Sequence, residues 1–355
     1  MNSNTKLPKY QQIAEQLRHQ IAEGTLKPND RLPSITELIS EHGVSLHTIE
    51  KAHGVLELEG LIRREPGRGI FVDPPRQKAQ TGFLAYFSPN YHITRNIPYH
   101  TIIQQSIRQA VYKAGKYLTI VEDPREFPHW NLMEGLLISD MGHYNRNDLK
   151  KCLPPNLSRV NILFDDPGIH SVMADDADGM RQAVEHLLLL GHKRIGHLSH
   201  LQHSLLQQRY HTYVETLNDH QITPLPEWIY SKILPQFPNY YEYGYYAMQQ
   251  WLNEGWEKLG LTAIIAQNDP AAIGMIEALK KYGLQVPQDV SIVGFDGVNE
   301  SAVSPLELTT ISVPLERLGQ TAVKVLLEQS ETLTNQRVTV QLPVTFKTGN
   351  TTRQL

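Results

Sequence analysis

Several side chains with chemistry to offer stand just after apolar runs of this chain. Asp140 follows GLLIS, Asp165 and Asp166 follow VNILF, Ser199 follows RIGHL, Asp269 follows AIIAQN, Asp296 closes SIVGF, and Asp175 and Asp176 lie in VMADD. Carboxylates accept hydrogen bonds from hydroxyl groups, and Arg209 in QQRYHTY adds a planar guanidinium fork for paired oxygens. Together they suit a polyhydroxylated ligand. No GxGxxG follows a strand-like run and no GxxxxGK[ST] occurs, so a sugar fits better than a nucleotide. Taken singly, Asp269 before PAAIGM and Asp178 before its helix could be caps only. There is no Gly-x-Ser-x-Gly, no HExxH and no metal-spaced Cys/His set, and Cys152 alone excludes an internal disulfide or a Cys-based zinc site. The expectation is a binding protein without cofactor or catalysis.

A second set lies in residues 43–52, GVSLHTIEKA, where Ser45, His47, Thr48 and Lys51 place small hydroxyls, an imidazole and an ammonium on one short run. Their position depends on the surrounding elements. Tyr10, Ile13, Ala14, Leu17 and Ile21 recur at helical spacing after Pro8, and Gly24 ends that helix. SITE at 34–37 is a capping box that opens a second helix stopped by Gly43. Ser45 caps a third, with Ile49, Ala52, Val55 and Leu56 on one stripe until Gly60. LIRR and IFV then flank the turn EPGRG, predicting a winged helix-turn-helix whose third helix enters the major groove and whose basic wing lies on phosphates.

The stretch from Tyr10 to Ser45, followed by HTIEKA, LELEGLI and GRGIFV, resembles the DNA-binding domain of the gluconate-repressor (GntR) family from about residue 8 to 73. The matching landmarks are DRLPS, GVS, Thr48, EGLI and GRG. The resulting DNA-facing set is Ser34, Ser45, Leu46, His47, Thr48, Glu50, Lys51, Arg64, Gly67 and Arg68. Family members commonly carry DNA-contacting arginines where this chain has Thr36, Leu46 and Glu50. Residues 1–75 hold nine Lys/Arg against ten Asp/Glu, so counterion release must come from Lys6, Lys9, Lys51, Arg63, Arg64 and Arg68. Leu46 would meet a thymine methyl group, and Glu50 would accept from a cytosine amino group.

DPPRQKAQT interrupts every periodicity, dividing the chain into a DNA-binding domain at 1–73, a linker at 74–81 and a larger domain at 82–355. Beyond Thr81, nearly continuous apolar runs alternate with amphipathic helices, which predicts parallel α/β structure, too long for one simple sheet, in two Rossmann-like lobes. NYYEYGYYAMQQW suggests sugar stacking, but its spacing also fits a helix with Tyr and Met in the core, the preferred reading, and Tyr91 and Tyr99 read as loop residues near the ligand. VMADDADG, HLLLLGHKRIGHLS, AIIAQNDPAAIGMIEALKKYGLQVPQDVSIVGFDG and SPLELTTISVPLERLGQTAVKVLL are similar to the effector domain of the lactose-repressor (LacI) family, itself like periplasmic sugar-binding proteins. That resemblance spans roughly residues 82–349. It implies effector contacts from Asp269 and Arg209 and a DN-like pair at Asp176, which with Asp140 and Asp296 complete the effector set. It also implies two lobes, 82 to about 166 with about 298–322, against about 167–297 with the C-terminal tail. The whole resembles the arabinose-repressor branch of the gluconate-repressor family.

With 355 residues and a net charge of −4, the chain has no global basic excess; it lacks a signal-type start and a membrane-spanning run. The reading is a cytoplasmic, homodimeric regulator, a repressor of double-stranded operator DNA modulated by a sugar or related polar effector. The alternatives are a sugar sensor with weakened or lost DNA binding and a sugar-acting enzyme.

Overall fold

The computed structural model describes residues 8–58, 60–73, 81–89, 97–139, 146–154, 157–199, 204–232, 239–298, 306–331 and 337–355. Asp140, Tyr91, Lys6 and residues 74–80 of the expected linker lie outside them. The chain divides into two compact units, Met1–Gly82 with His129–Glu134 and Lys150–Leu157, and the remainder.

In the first unit, helices α1 (Lys9–Ala22), α2 (Ile35–His42) and α3 (Leu46–Leu58) bring Ile13, Leu17, Leu38, Ile49, Ala52 and Leu56 into one core. The capping box forms as its sequence requires: Glu37 N donates to Ser34 Oγ, and Ser34 N donates to Glu37 Oε2 at 2.6 Å. Gly43 ends α2 at φ +62, a left-handed turn that a side chain would resist. The wing pairs β1 (Ile62–Glu65) with β2 (Gly69–Val72), antiparallel from Ile62 opposite Val72 to Glu65 opposite Gly69. Residues 29–32 add a third strip, which the sequence pattern did not announce. Val72 N donates to Asp30 O and Leu32 N to Ile70 O, both at 2.8 Å.

The second unit is built on two six-stranded sheets. The first lobe orders its strands β13-β7-β6-β5-β3-β4, with β3 Phe83–Phe87, β4 Tyr117–Val121, β5 Met133–Ile138, β6 Ser158–Ile162, β7 His170–Ala174 and β13 Thr339–Leu342. The second orders them β14-β12-β11-β10-β8-β9, with β8 Ile195–Leu198, β9 Ile229–Tyr230, β10 Ala263–Ile265, β11 Ser291–Asp296, β12 Thr309–Ser312 and β14 Thr345–Lys347. The pairings β8·β9, β8·β10, β10·β11 and β11·β12 are parallel, so the ends of these strands gather at one edge.

The lobe boundaries differ from those expected. HSVMA forms β7 in the first lobe, so the chain crosses over at Asp175, not near residue 166. β12 belongs to the second lobe, whereas the helix Leu315–Glu331 packs in the first, with Gly319 against Ser106 and Ile103 of the helix Pro98–Lys113. β13 then joins β7 and β14 returns to β12. Runs of three to five residues of mixed polarity carry too little pattern to reveal which sheet they enter.

Tyr243, Gly244, Ala247, Met248, Trp251 and Leu252 are buried in the helix Tyr240–Asn253, as the aromatic run predicted. This helix crosses the helix Asp269–Tyr282 at two glycines. A Cβ on Gly244 would collide with the backbone of Ala271, and one on Gly274 with the backbone of Tyr241 and Tyr245. Gly274→Ala is therefore expected to destabilise the second lobe by about 1–3 kcal/mol or more, because backbone cannot step aside as a side-chain tip can; a thermal unfolding midpoint unchanged from wild type would show that the helices separate freely. Among the described residues, no helix is long and apolar enough to cross a membrane.

Candidate functional site

The buried polar centre of the second unit forms where three elements of different sequence position converge. Asp176 is the first residue of the helix Asp176–Leu189, which Asp175 caps by accepting from Asp178 N at 3.0 Å. The cap is thus Asp175, and Asp178 lies within the first turn. Arg209 projects from the helix Ser204–Asp219, and Asp296 closes β11. Arg209 Nη2 donates to Asp176 Oδ1 at 3.1 Å and to Asp296 Oδ1 at 3.5 Å, and Nη1 donates to Gln267 O at 2.8 Å. Beneath them the guanidinium carbon lies 3.6 Å from the centre of the Phe295 ring.

Arg209 is only 2 % exposed, yet its Nε has no hydrogen-bond partner among the described residues. A buried donor without an acceptor is costly and marks a place where one can be supplied. Burial pushes the carboxyl groups of Asp176 and Asp296 upward, and the guanidinium of Arg209 opposes that rise. Tyr99, in the first turn of the helix Pro98–Lys113, is held well above the ordinary tyrosine range by burial and by the carboxylates of Asp296 and Asp176. A phenol kept protonated beside two carboxylates and one guanidinium can share hydrogen bonds with a hydroxylated ligand. Among the described residues, no group of three or more His, Cys, Asp or Glu is placed to hold a metal ion.

Asp269 has a structural role besides the expected one. Both of its oxygens are occupied within the protein: Thr310 Oγ1 donates to Oδ1 at 2.5 Å and Val298 N donates to Oδ2 at 2.7 Å. Desolvation raises this carboxyl to about 7, against the lowering effects of Thr310 and of the Val298 and Gly297 amides. Asp269 therefore braces the segment that follows Asp296, and the Arg209 guanidinium also acts on its carboxyl. The bracing matters because Asp296 sits at φ +106, a conformation that costs a non-glycine residue about 1–3 kcal/mol. Val313 N completes the clamp by donating to Asp296 O at 3.0 Å. The neighbouring Asn268 caps the helix, its side chain accepting from Ala271 N.

Other expected residues disperse. Asp165 pairs with Arg337 at the surface, and the Ser199 amide donates to Tyr230 O. Sequence reasoning missed Phe295, Gln267 and Thr310, whose contributions are a ring face, a carbonyl and a hydroxyl from β12 that no spacing rule reports.

In the first unit, Ser34, Ser45, Leu46, His47, Glu50, Lys51, Arg64, Gly67 and Arg68 are exposed and Thr48 is half-buried. Ser45 Oγ accepts from Thr48 N at 3.3 Å, so one of the hydroxyls serves as the cap of α3. Leu46 is 51 % exposed at the start of that helix, a costly place for an apolar side chain in water. Lys51 lies 4.4 Å from the centre of the Tyr10 ring. Arg63, counted among the free cations, is instead structural: it donates to Asn29 Oδ1, Val72 O and Asp73 Oδ1, which ties the wing to the 29–32 strip.

Residues 9–72 match the model of the bacterial regulatory proteins of the gntR family, and residues 184–352 match the periplasmic binding protein-like domain. The chain is 26 % identical over 348 residues to the arabinose metabolism transcriptional repressor of Geobacillus stearothermophilus, covering 92 % of each chain. It is 31 % identical over 250 residues to the HTH-type transcriptional repressor PurR of Haemophilus influenzae, covering 66 % of this chain and 71 % of that protein. The lac repressor dimer bound to operator and the anti-inducer ONPF superimposes with a TM-score of 0.65 at 24 % identity, over 78 % of this chain and 95 % of that one, a likeness of fold.

Proposed function

Because this chain belongs to the HTH-type transcriptional repressors, with a gntR-family DNA-binding domain joined to a periplasmic-binding-protein-like body, we propose that it is a cytoplasmic, homodimeric repressor released from operator DNA by a small hydroxylated effector, most simply a sugar. In this reading residues 1–73 read DNA, 74–81 link and 82–355 sense and dimerise. Ser34, Ser45, Thr48, Lys51, Arg64, Gly67 and Arg68 meet phosphates, and Leu46, His47 and Glu50 meet base edges.

The observation that carries the effector half is the buried Arg209 cluster, in which Nε–H has no partner among the described residues and two carboxylates that suit hydroxyl groups meet Nη2. A sugar hydroxyl can accept from that N–H and donate to Asp176 or Asp296. Binding there would draw together the lobes, which the chain crosses between β7 and the helix Asp176–Leu189, between β12 and the helix Leu315–Glu331, and between β13 and β14. Closure changes the spacing of the paired recognition helices, so effector and operator oppose each other with one coupling energy. No catalysis is assigned.

The test is selection from random duplex DNA by the purified chain, followed by competition from a panel of monosaccharides and their phosphates. The expected outcome is enrichment of a two-fold sequence that one sugar releases. Release by none of the panel would overturn the sugar assignment, and enrichment of no sequence at low salt would favour a sensor that has lost DNA binding.

A further inference from the structure

The wing carries three arginines, yet each is neutralised from within. Arg64 Nε donates to Glu57 Oε2 at 3.0 Å. Glu65 serves the other two: Oε1 accepts from Arg63 Nε at 3.2 Å, and Oε2 accepts from Arg68 Nη1 at 2.6 Å. Phe71 lies between the same pair, its ring centre 5.7 Å from the Arg63 guanidinium and 5.8 Å from that of Arg68.

The two partners of Glu65 are not equivalent. Arg63 is anchored by Asn29, Val72 O and Asp73 besides Glu65. Arg68 stands on the turn with its side chain 74 % exposed, and Glu65 is its one ionic partner among the described residues. A carboxylate oxygen that accepts from a guanidinium offers it the charge-assisted bond that a DNA phosphate oxygen would offer.

We propose that Glu65 is an intramolecular stand-in for phosphate, occupying Arg68 in the free protein and yielding it to the DNA backbone while Arg63 retains the carboxylate. The inference rests on the reading that this wing meets DNA. Its consequence is quantitative. When Arg68 leaves for a phosphate, Glu65 loses one of its two cations and draws an electrolyte cation in its place, which offsets the counterion that the phosphate releases, so the wing adds little to the salt dependence of binding. Glu65 thereby weakens sequence-independent attraction, which is almost wholly electrostatic.

The experiment measures binding of the full chain to a labelled 30-base-pair duplex of random sequence between 50 and 200 mM salt. Glu65→Gln is expected to bind more tightly than wild type and to steepen the log–log salt slope by about 0.9, so that its advantage is about 3.5-fold larger at 50 than at 200 mM. Glu65→Gln combined with Arg68→Gln is expected to lose that gain, because Glu65 acts through Arg68. Glu65→Ala gives the same reading should Glu65→Gln lose its far-UV circular dichroism.

Unchanged or weaker binding by both Glu65 variants, with the double variant weaker still, overturns the role of Glu65 and leaves the wing on DNA. Equal binding by wild type, single and double variants removes the wing from DNA altogether, and with it the reading beneath this one.

Discussion

Replacing Arg209 with methionine is expected to destabilise the effector-binding body by about 3–5 kcal/mol at neutral pH and to abolish the response to effector. The side chain fits the volume but removes the cation between Asp176 and Asp296, the bond to Gln267 O and the stacking on Phe295. Burial already raises both carboxyl groups, and the guanidinium is what opposes the rise. Without it both move further above their unfolded value, so the variant's added stability below that value disappears as pH climbs through the folded one. The deficit relative to wild type should thus be largest near pH 7.5 and shrink near pH 5. Urea unfolding at the two pH values measures it, and an equal deficit at both would mean that the carboxylates are not electrostatically dependent on Arg209.

The second large effect centres on Asp269. Its folded carboxyl lies at about 7, against an ordinary value of 3.8. A raised carboxyl contributes stability that is fully present below the unfolded value and lost as pH rises through the folded one, here between about pH 4 and pH 7. Asparagine cannot titrate. The stability difference between wild type and Asp269→Asn should accordingly fall by on the order of 4 kcal/mol from pH 4 to pH 8, a shift of about three units at 1.4 kcal/mol each. A difference that stays constant with pH would place the carboxyl in the ordinary range. The amide can keep its oxygen on Val298 N only by turning its NH2 onto Thr310 Oγ1, which now donates to Oδ1, and so rearranges the clamp on Asp296. Effector response should be lost in this variant while operator binding persists, because Asp269 acts on the effector site through Asp296 and has no part in the wing or α3.

The winged helix was legible almost completely. The Ser34–Glu37 box, the Gly43 stop, the Ser45 cap and the EPGRG turn each act over three or four residues, and their outcome depends on chain neighbours. The aromatic stripe of the helix Tyr240–Asn253 was legible for the same reason: periodicity is local. The strip at 29–32 was not, since hydrogen bonds to Ile70 and Val72 join segments about forty residues apart with no pattern of their own.

The body divides along the same line. Apolar runs and helical stripes announce a βα alternation, but membership of β7 and β12 in one sheet or the other depends on partners on both sides, β13 and β14 among them, that lie far along the chain. Residue type placed Asp176, Arg209 and Asp296 among the ligand candidates, and their convergence across sequence separations of 33 and 87 residues is a product of packing. Its place after an apolar run and the family resemblance put Asp269 there too. What only the fold supplied is the pair of donors it holds, Thr310 and the Val298 amide, because a buried acceptor takes the nearest donors that the folded chain presents. The wing shows the same division of causes: three arginines look like three phosphate contacts until Glu57, Glu65 and Asp73 are brought against them, since charges in a chain are additive whereas charges in a fold depend on distance.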